Sequence, residues 1–229
     1  MRLDKYLADC GIGTRSEIKN YIKKGLVSVN GTSEKNASCH VSESDEIFYN
    51  GKKIAYSPFV YIMLNKPAGV VSATRDKLDK TVLDLLGDEY KNYDLFPMGR
   101  LDKDTVGLLI LTNDGEMAHK ALSPRHHVEK TYYVETKLPI KEETIGSFAE
   151  GVFIKKDTKT LPAKIEILSE NSCHLTIEEG KFHQVKLMFN SVGNEVTFLK
   201  RIRFGNVTLD ESLKMGEYRL LREDESVFG

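Results

Sequence analysis

The sequence lacks the features that mark membrane, secreted and metal-binding proteins. No stretch approaches the roughly eighteen apolar residues that a membrane helix needs, and the N-terminus is polar. We therefore expect neither a membrane span nor a secretion signal. The three cysteines are far apart without a Cys-x-x-Cys pair, and the six histidines have no metal-ligand spacing, which disfavours disulfide and zinc frameworks. We expect a cytoplasmic protein with no metal and no other cofactor.

An excess of one charge sign is also missing. The chain has 33 Lys and Arg against 34 Asp and Glu, and its formal net charge is −1. The basic residues are nevertheless concentrated. Residues 1–30 carry six of them against three acidic residues, and residues 181–204 carry five against Glu195 alone. Two such patches could neutralise the phosphates of a nucleic acid, or they could be ordinary solvated surface.

The first 54 residues predict a compact unit of two helices and short strands. Thr14 and Glu17 form a capping box that opens the second helix, and Gly25 ends it. Asn30-Gly31 and Asn50-Gly51 predict two tight hairpins. Apolar residues at helical spacing define the first helix, at Leu3, Tyr6, Leu7 and Cys10.

This order of elements resembles the S4 RNA-binding domain, through residues 2–7, 14–17, 23–27 and 29–31. We predict a boundary near residue 58, because Pro58 disfavours helix before it, with an S4-like domain over 1–58 and a second domain over 59–229. Asp4 and Glu17 are expected in caps or ion pairs. The resemblance implies an RNA-facing surface, although each of its members could equally be a solvated charge: Arg2, Lys5, Arg15, Lys19 and Lys23.

Residues 96–115 are the most informative segment of the chain. The apolar run 106–111 is bounded by Asn113-Asp114-Gly115, which predicts a buried strand ending in a turn. The turn before this strand holds Arg100, Asp102 and Asp104. Loops at strand ends often carry catalytic groups, because the sheet fixes their position. The alternative is an Asx-turn that merely begins the strand.

The run Gly99-Arg100-Leu101-Asp102, continued through 104–115, resembles the signature of the RsuA-type pseudouridine synthases, which isomerise uridine in ribosomal RNA. Three further motifs match in order, at 65–69, 130–134 and 178–194. The resemblance implies an α+β fold, in which the catalytic domain is a mixed, largely antiparallel sheet in two halves with a cleft between them.

The resemblance also assigns site residues. Asp102, Tyr132 and Lys186 would be catalytic, and the substrate-binding residues would be Arg100, Lys130, Lys181, His183 and Gln184. The family usually has Gln-Val-Arg-Arg-Met where this chain has Gln184-Val185-Lys186-Leu187-Met188. Lys186 keeps the charge that would pair with Asp102 but loses the planar fork of arginine.

Three neighbouring features are given structural roles. Asp104 is assigned to the turn, and Lys66 is expected to be a surface lysine. The apolar residues of the last motif are predicted to form one helical face, closed by Gly193, at Phe182, Val185, Phe189 and Val192.

The implied reaction cuts uracil from C1′ at N1, turns it and rejoins it through C5. Asp102 would act as a nucleophile or as the partner of a developing sugar cation, and whether it attacks sugar or base stays open. Tyr132 would stack on the uracil. Arg100 would fill the gap that the extruded uridine leaves or hold a phosphate.

The compact C-terminus after residues 216–219 resembles the small-subunit member of the family. We therefore expect a monomer that acts on 16S ribosomal RNA, naked or in an assembling particle, and that binds no membrane. Three alternatives stay open. The first is a large-subunit (23S) synthase of the same family. The second is a non-catalytic RNA-binding assembly factor, and the third is a hydrolase that releases free uracil.

Overall fold

The computed structural model describes residues 1–42 and 44–228. Their contacts divide the chain into two units, Met1–Val60 with Leu86–Leu95, and Tyr61–Leu85 with Phe96–Gly229. The sequence did not predict the second segment of the first unit. It packs there because Asn92 and Tyr93 donate hydrogen bonds to backbone carbonyls of the first unit, at 3.1 and 2.9 Å. Among the described residues, no helix is long and apolar enough to cross a membrane.

The first unit contains two helices and a four-stranded antiparallel sheet in the order β2-β1-β3-β4. The Thr14–Glu17 capping box is present, and the predicted hairpin turns at 30–31 and 50–51 have the positive φ angles of tight turns. The elements are α1 Leu3–Asp9, α2 Arg15–Lys23, β1 Val27–Val29, β2 Thr32–Ser33, β3 Ile47–Tyr49 and β4 Lys52–Ile54.

The second unit contains one large sheet, a separate hairpin and three helices. Its strands are β5 Tyr61–Lys66, β6 Phe96–Pro97, β7 Val106–Thr112, β8 Lys130–Thr136, β9 Phe153–Lys155, β10 Thr158–Lys159, β11 Lys164–Ser169, β12 Ser172–Ile177, β13 Val196–Phe204, β14 Val207–Thr208 and β15 Tyr218–Leu220. Its helices are α3 Gly115–Leu122, α4 Glu143–Glu150 and α5 Gln184–Ser191. Short 3₁₀ turns cover Leu83–Leu85 and Pro124–His126, and a third, Asp88–Tyr90, lies in the first unit.

The large sheet has the strand order β11-β12-β8-β13-β7-β5-β15, and the short strands β14 and β6 pair with β13 and β7. Among the strands of the described residues in this sheet, only β13 and β7 run parallel, with Lys200 opposite Val106, and the other pairs are antiparallel. Two antiparallel halves therefore meet at this parallel pair. The expectation of a mixed, largely antiparallel sheet in two halves is confirmed.

The two halves approach closely at Gly107. Its φ is +98°, and a Cβ at this position would collide with the backbone carbonyl of Arg201 on β13. Only glycine combines this backbone conformation with so close an approach. The seam places the loop before β7 beside side chains of β8 and β13, where the candidate site lies.

Candidate active site

The loop that leads into β7 carries Asp102, and the buried Lys66 binds the backbone of this loop. The Lys66 ammonium lies within 3.4 Å of the carbonyl oxygens of Asp102, Lys103 and Thr105, and 3.0 Å from that of Pro67. The side chain is completely buried, and burial lowers the pKa of Lys66 to about 8 against the attraction of nearby carboxylates. The loop backbone is thus fixed around one cation.

This position corrects the expectation that Lys66 is a surface lysine. It is the last residue of β5, a strand that is buried along almost its whole length. The Asp102 loop covers the strand end, and its carbonyls replace the water that an ammonium would otherwise bind. Ser72 also exchanges hydrogen bonds with the backbone of Leu101, at 2.9 and 3.1 Å.

Lys186 on α5 holds the side chains of the same loop. Its Nζ lies 3.2 Å from Oδ2 of Asp102 and 2.6 Å from Oδ1 of Asp104. Although burial alone would lower it, the pKa of Lys186 is raised by its hydrogen bonds to both carboxylates. The hydrogen bond from Lys186 also lowers the pKa of Asp104. Asp104 is therefore part of the charge cluster, which corrects its assignment to the turn alone.

His183 gives Asp102 a second partner. Its Nε2 lies 3.5 Å from Oδ1 of Asp102, so each carboxylate oxygen faces a nitrogen from residues 183–186. Two partners from one rigid segment restrict the rotation of the carboxylate. Such orientation is what a nucleophile or an electrostatic partner needs.

The segment before α5 is fixed by its own hydrogen bonds. Gln184 donates from its amide nitrogen to Glu179 at 2.8 Å and accepts from the backbone N–H of Lys181 at 2.9 Å. The Lys181 ammonium pairs with the Glu179 carboxylate. The expected substrate-binding residues Lys181 and Gln184 therefore hold this segment as well as lining the pocket.

The helix itself is shorter than the sequence predicts. It begins at Gln184 and ends before the left-handed Gly193, with Val192 as its C-cap. Phe182 precedes the helix and is 71% exposed. The prediction that it belongs to the helical face is wrong, because His183 adopts a left-handed conformation that turns the chain out of the helix.

An open pocket lies beside Asp102. Tyr132 on β8 forms part of its wall and is 8% exposed. The neighbouring Tyr133 lies on the opposite face of the strand and bonds to Glu135. The pocket is lined by Arg100, Leu101, Asp102, Thr105, Tyr132, Ile177, Gly180, Lys181, His183, Gln184, Val185 and Leu199. Most of the expected site residues are therefore brought together.

Lys130 is the exception among them. It is 7% exposed, its ammonium donates to the carbonyl of Val128 at 2.7 Å, and it lies 5.4 Å from the ring centroid of Phe204. Burial, together with the positive charge of Arg201, lowers the pKa of Lys130 to about 8 against the attraction of nearby carboxylates. A buried ammonium cannot reach RNA, so the assignment of Lys130 to substrate binding is corrected.

Arg201 is a residue that the sequence reasoning missed. It lies opposite Tyr132 on β13, is 2% exposed, and interacts with the Tyr132 side chain. Its Nε donates to the carbonyl of Leu108 at 2.8 Å. Burial lowers the pKa of Arg201 against the attraction of Tyr132. The basic patch 181–204 was the available signal, but it did not separate a buried arginine from its exposed neighbours.

The five basic residues predicted to face RNA are all exposed in the first unit. Arg15, Lys19 and Lys23 are four residues apart on α2 and therefore share one helix face. Lys5 lies on α1. Arg2 is occupied by Asp4, with which it forms two hydrogen bonds of 3.0 and 2.7 Å.

Over residues 1–42 and 44–228, no group of three or more His, Cys, Asp or Glu could hold a metal ion. The structure thus brings together an oriented carboxylate, a tyrosine and a lysine at one sheet. The family model described as RNA pseudouridylate synthase matches residues 60–191, and the S4 domain model matches residues 1–47. The chain therefore belongs to the RNA pseudouridylate synthase family, and the expected family and fold are confirmed.

Particular relatives extend this likeness to nearly the whole chain. Two proteins named ribosomal small subunit pseudouridine synthase A, from Vibrio cholerae and Escherichia coli, are 43% and 42% identical; each aligns with 98% of this chain and with 97% and 98% of its own length. An uncharacterised RNA pseudouridine synthase of Bacillus subtilis is 49% identical over 98% of this chain and 96% of its own. A crystal structure of a pseudouridylate synthase has a TM-score of 0.68 at 40% identity, covering 97% of this chain and 96% of that chain.

Proposed function

We propose that this enzyme converts one uridine of small-subunit (16S) ribosomal RNA to pseudouridine, as a monomer in the cytoplasm. The observation that carries the proposal is the carboxylate of Asp102, oriented by Lys186 and His183 beside the Tyr132 pocket. Relatives that share over 40% of their residues carry small-subunit names.

The reaction is an isomerisation, so its atoms balance without an oxidant, a reductant or a second substrate. The N1–C1′ bond breaks, the uracil turns, and a C5–C1′ bond forms. The proton on C5 leaves to solvent and N1 gains a proton. Asp102 supplies negative charge at the reacting carbon, either by bonding to it covalently or by stabilising its developing positive charge.

The other pocket residues bind and orient the base. Tyr132 offers an aromatic face for the uracil, and Arg201 fixes the tyrosine from the next strand. Lys186 holds the Asp102 carboxylate in place, and removal of this cation partner would leave a partly buried negative charge uncompensated. Arg100 is exposed at the pocket, where it can fill the gap in the stacked RNA.

We propose that residues 1–58 act as the RNA-binding domain and residues 59–229 as the catalytic domain. The stripe Arg15, Lys19 and Lys23, with Lys5, supports a phosphate-binding role for the first of these. Its contacts would offset the free-energy cost of extruding a stacked base, which is about a few kcal/mol. Basic contacts of this kind add affinity without sequence preference.

The test is tritium release from small-subunit RNA labelled at C5 of uridine. Free 16S RNA and precursor particles from a strain lacking the gene are both offered. We expect release by the wild type, none by Asp102→Asn, and wild-type release by Asp224→Asn, which neutralises an exposed aspartate. Pseudouridine mapping of both ribosomal RNAs from the deletion strain identifies the target.

Each alternative has its own outcome in these experiments. If the deletion strain lacks a pseudouridine of the large-subunit RNA, the substrate is 23S RNA and not 16S RNA. An Asp102→Asn variant that restores the deletion phenotype without tritium release would make the protein a non-catalytic assembly factor. Free uracil among the products would make it a hydrolase.

A further inference from the structure

Phe182 is an exposed aromatic ring at the edge of the active site. Its neighbours in the sequence, Lys181 and His183, both line the pocket, whereas Phe182 itself is 71% exposed. A single exposed apolar side chain is common on protein surfaces. Here the position of the ring and its contacts carry the argument.

The ring of Phe182 is stacked on the imidazole of His183. The two ring centroids are 3.8 Å apart and the planes differ by 18°. His183 in turn lies 3.5 Å from Asp102. A continuous aromatic surface therefore begins beside the catalytic carboxylate and extends outward to solvent.

This surface is held rigidly before any RNA binds. Gln184 and Glu179 hydrogen-bond each other across the turn, and Glu179 also accepts from the backbone N–H of Leu161 at 2.9 Å. Rigid groups lose little conformational freedom on binding, so their contacts contribute more of their interaction energy to affinity.

A lysine lies near the exposed ring. The Lys155 ammonium lies 6.0 Å from the Phe182 ring centroid. Lys155 belongs to the β9–β10 hairpin, which also exposes Lys156 and Lys159. An exposed aromatic ring beside a lysine hairpin fits a nucleotide, whose base stacks on the ring while its phosphate contacts an ammonium group.

We propose that Phe182, backed by His183, is a platform for an unpaired base next to the target uridine, with the hairpin lysines at its phosphate. The proposal rests on the proposed function. Extrusion of the uridine removes a stacking partner from its neighbours in the RNA. A platform at the pocket edge replaces that partner and favours targets whose neighbouring bases are free to stack.

The absence of tryptophan from the sequence gives a direct test. Phe182→Trp, in the Asp102→Asn background to prevent turnover, is titrated with transcribed 16S RNA while tryptophan emission is followed. Leu220→Trp, on the edge strand β15 and 52% exposed, is the matched control. We expect RNA to quench the first variant and leave the second unchanged.

Unchanged emission of Phe182→Trp at saturating RNA, with binding shown by filter retention, would overturn the platform. So would a change seen only with particles that contain ribosomal protein, because that points to a protein contact. Complete lack of RNA binding by both variants would also count against it.

Turnover by Phe182 variants that keep Asp102 distinguishes the stacking of a base on the ring from apolar packing of the side chain. We expect Phe182→Ala and Phe182→Leu to lower kcat/KM by about 5- to 150-fold, the factor that stacking one base on an aromatic side chain corresponds to. Phe182→Tyr should restore it. Wild-type activity of Phe182→Leu would overturn the proposal, since leucine keeps an apolar side chain without a ring.

The two proposals fail separately in this design. If the wild type releases tritium but Phe182→Trp is not quenched, the platform is wrong and the function stands. If quenching occurs but the wild type releases no tritium from either ribosomal RNA, the platform is a nucleotide-binding site of a protein whose proposed reaction is wrong.

Discussion

Lys66 and Lys186 both hold the Asp102 loop, one through its backbone and one through its side chains. Lys66 is completely buried among carbonyl oxygens, and burial lowers its pKa to about 8. Lys186 is partly exposed between two carboxylates, and its hydrogen bonds to them, opposed by burial, raise its pKa. The same side chain therefore meets neutral dipoles in one region and full negative charges in the other.

The difference separates two requirements of the site. A loop must have a fixed backbone before its side chains can be aimed, and neutral carbonyls around an ammonium provide this at the cost of burying a charge. An ionised carboxylate needs a countercharge, and a partly exposed lysine provides it with little burial. We therefore expect substitutions of Lys66 to affect mainly folding and those of Lys186 mainly turnover.

Among substitutions of the residues that hold the Asp102 loop, the largest effect on turnover is expected from Lys186→Met. Loss of the ammonium leaves the Asp102 and Asp104 carboxylates facing each other without a cation, and removal of one partner of a buried pair costs about 3–5 kcal/mol. Because this pair is partly solvated, we expect kcat/KM to fall by about a hundredfold in the tritium-release assay. Lys186→Arg should stay within about tenfold of the wild type, since the charge remains.

A thermal or urea unfolding curve of Lys186→Met serves as its control. The comparison of the two lysines requires that Lys186→Met lose less stability than Lys66→Met and remain folded under the assay conditions. A variant that loses activity only because it is largely unfolded would contradict it.

Lys66→Met should reverse this pattern. Methionine fits the aliphatic stem, but the carbonyls around the ammonium lose their donor, and each buried unpaired group costs about 1–3 kcal/mol. Relief of the buried charge offsets part of this loss. We expect the free energy of unfolding in urea to fall by about 2–4 kcal/mol, with a smaller loss of kcat at temperatures where the variant is folded.

The two lysines should also respond oppositely to pH. The folded pKa of Lys66, about 8, lies below the ordinary value of about 10.5, so between these values the unfolded chain binds more protons. Stability from this group therefore rises with pH, and the advantage of the wild type over Lys66→Met should grow by up to about 3 kcal/mol from pH 8 to 10.5.

For Lys186 the folded pKa is raised, so its contribution is complete below about pH 10.5 and is lost as the pH rises through the folded value. The difference between wild type and Lys186→Met should stay level from pH 8 to 10 and then shrink. Urea unfolding of the three proteins at each pH measures both slopes. Using differences removes the titration of thiols and phenols that all three share. If both stability differences changed with pH in the same direction, the comparison of the two lysines would be wrong.

The sequence predicted what local patterns determine. The capping box at Thr14 and Glu17, the two Asn-Gly turns, and the strand before Asn113 all follow from short-range rules. Resemblance to a known family located Asp102, Tyr132 and Lys186. Their mutual distances were not predictable, because they depend on how β7, β8 and α5 pack.

The errors concern burial, which depends on long-range contacts. Lysine is a residue type usually found at the surface, and Lys66 and Lys130 are buried because the loop and strands cover them. Phenylalanine is a residue type usually found in the core, but Phe182 is exposed because the left-handed conformation of His183 turns the chain out of the helix. Strand β13 escaped notice because its lysine and arginines suggested a basic surface, although residues 201–204 alternate basic and apolar residues as a half-buried strand does.

The smallest effect is expected from Asp104→Asn, and it tests whether the outer lysine needs both of its carboxylates. The Asp104 side chain is 72% exposed, although its oxygen is nearer to Lys186 than that of Asp102. Exposed ion pairs contribute only about 0–1 kcal/mol. Asparagine keeps the shape of the turn and leaves the ammonium to Asp102 alone, so we expect kcat/KM within about threefold of the wild type. A loss as large as that of Lys186→Met would show instead that Asp104 holds the ammonium in place. The contacts of Lys186 with the loop side chains would then depend on exact packing as much as the contacts of Lys66 with the loop backbone do.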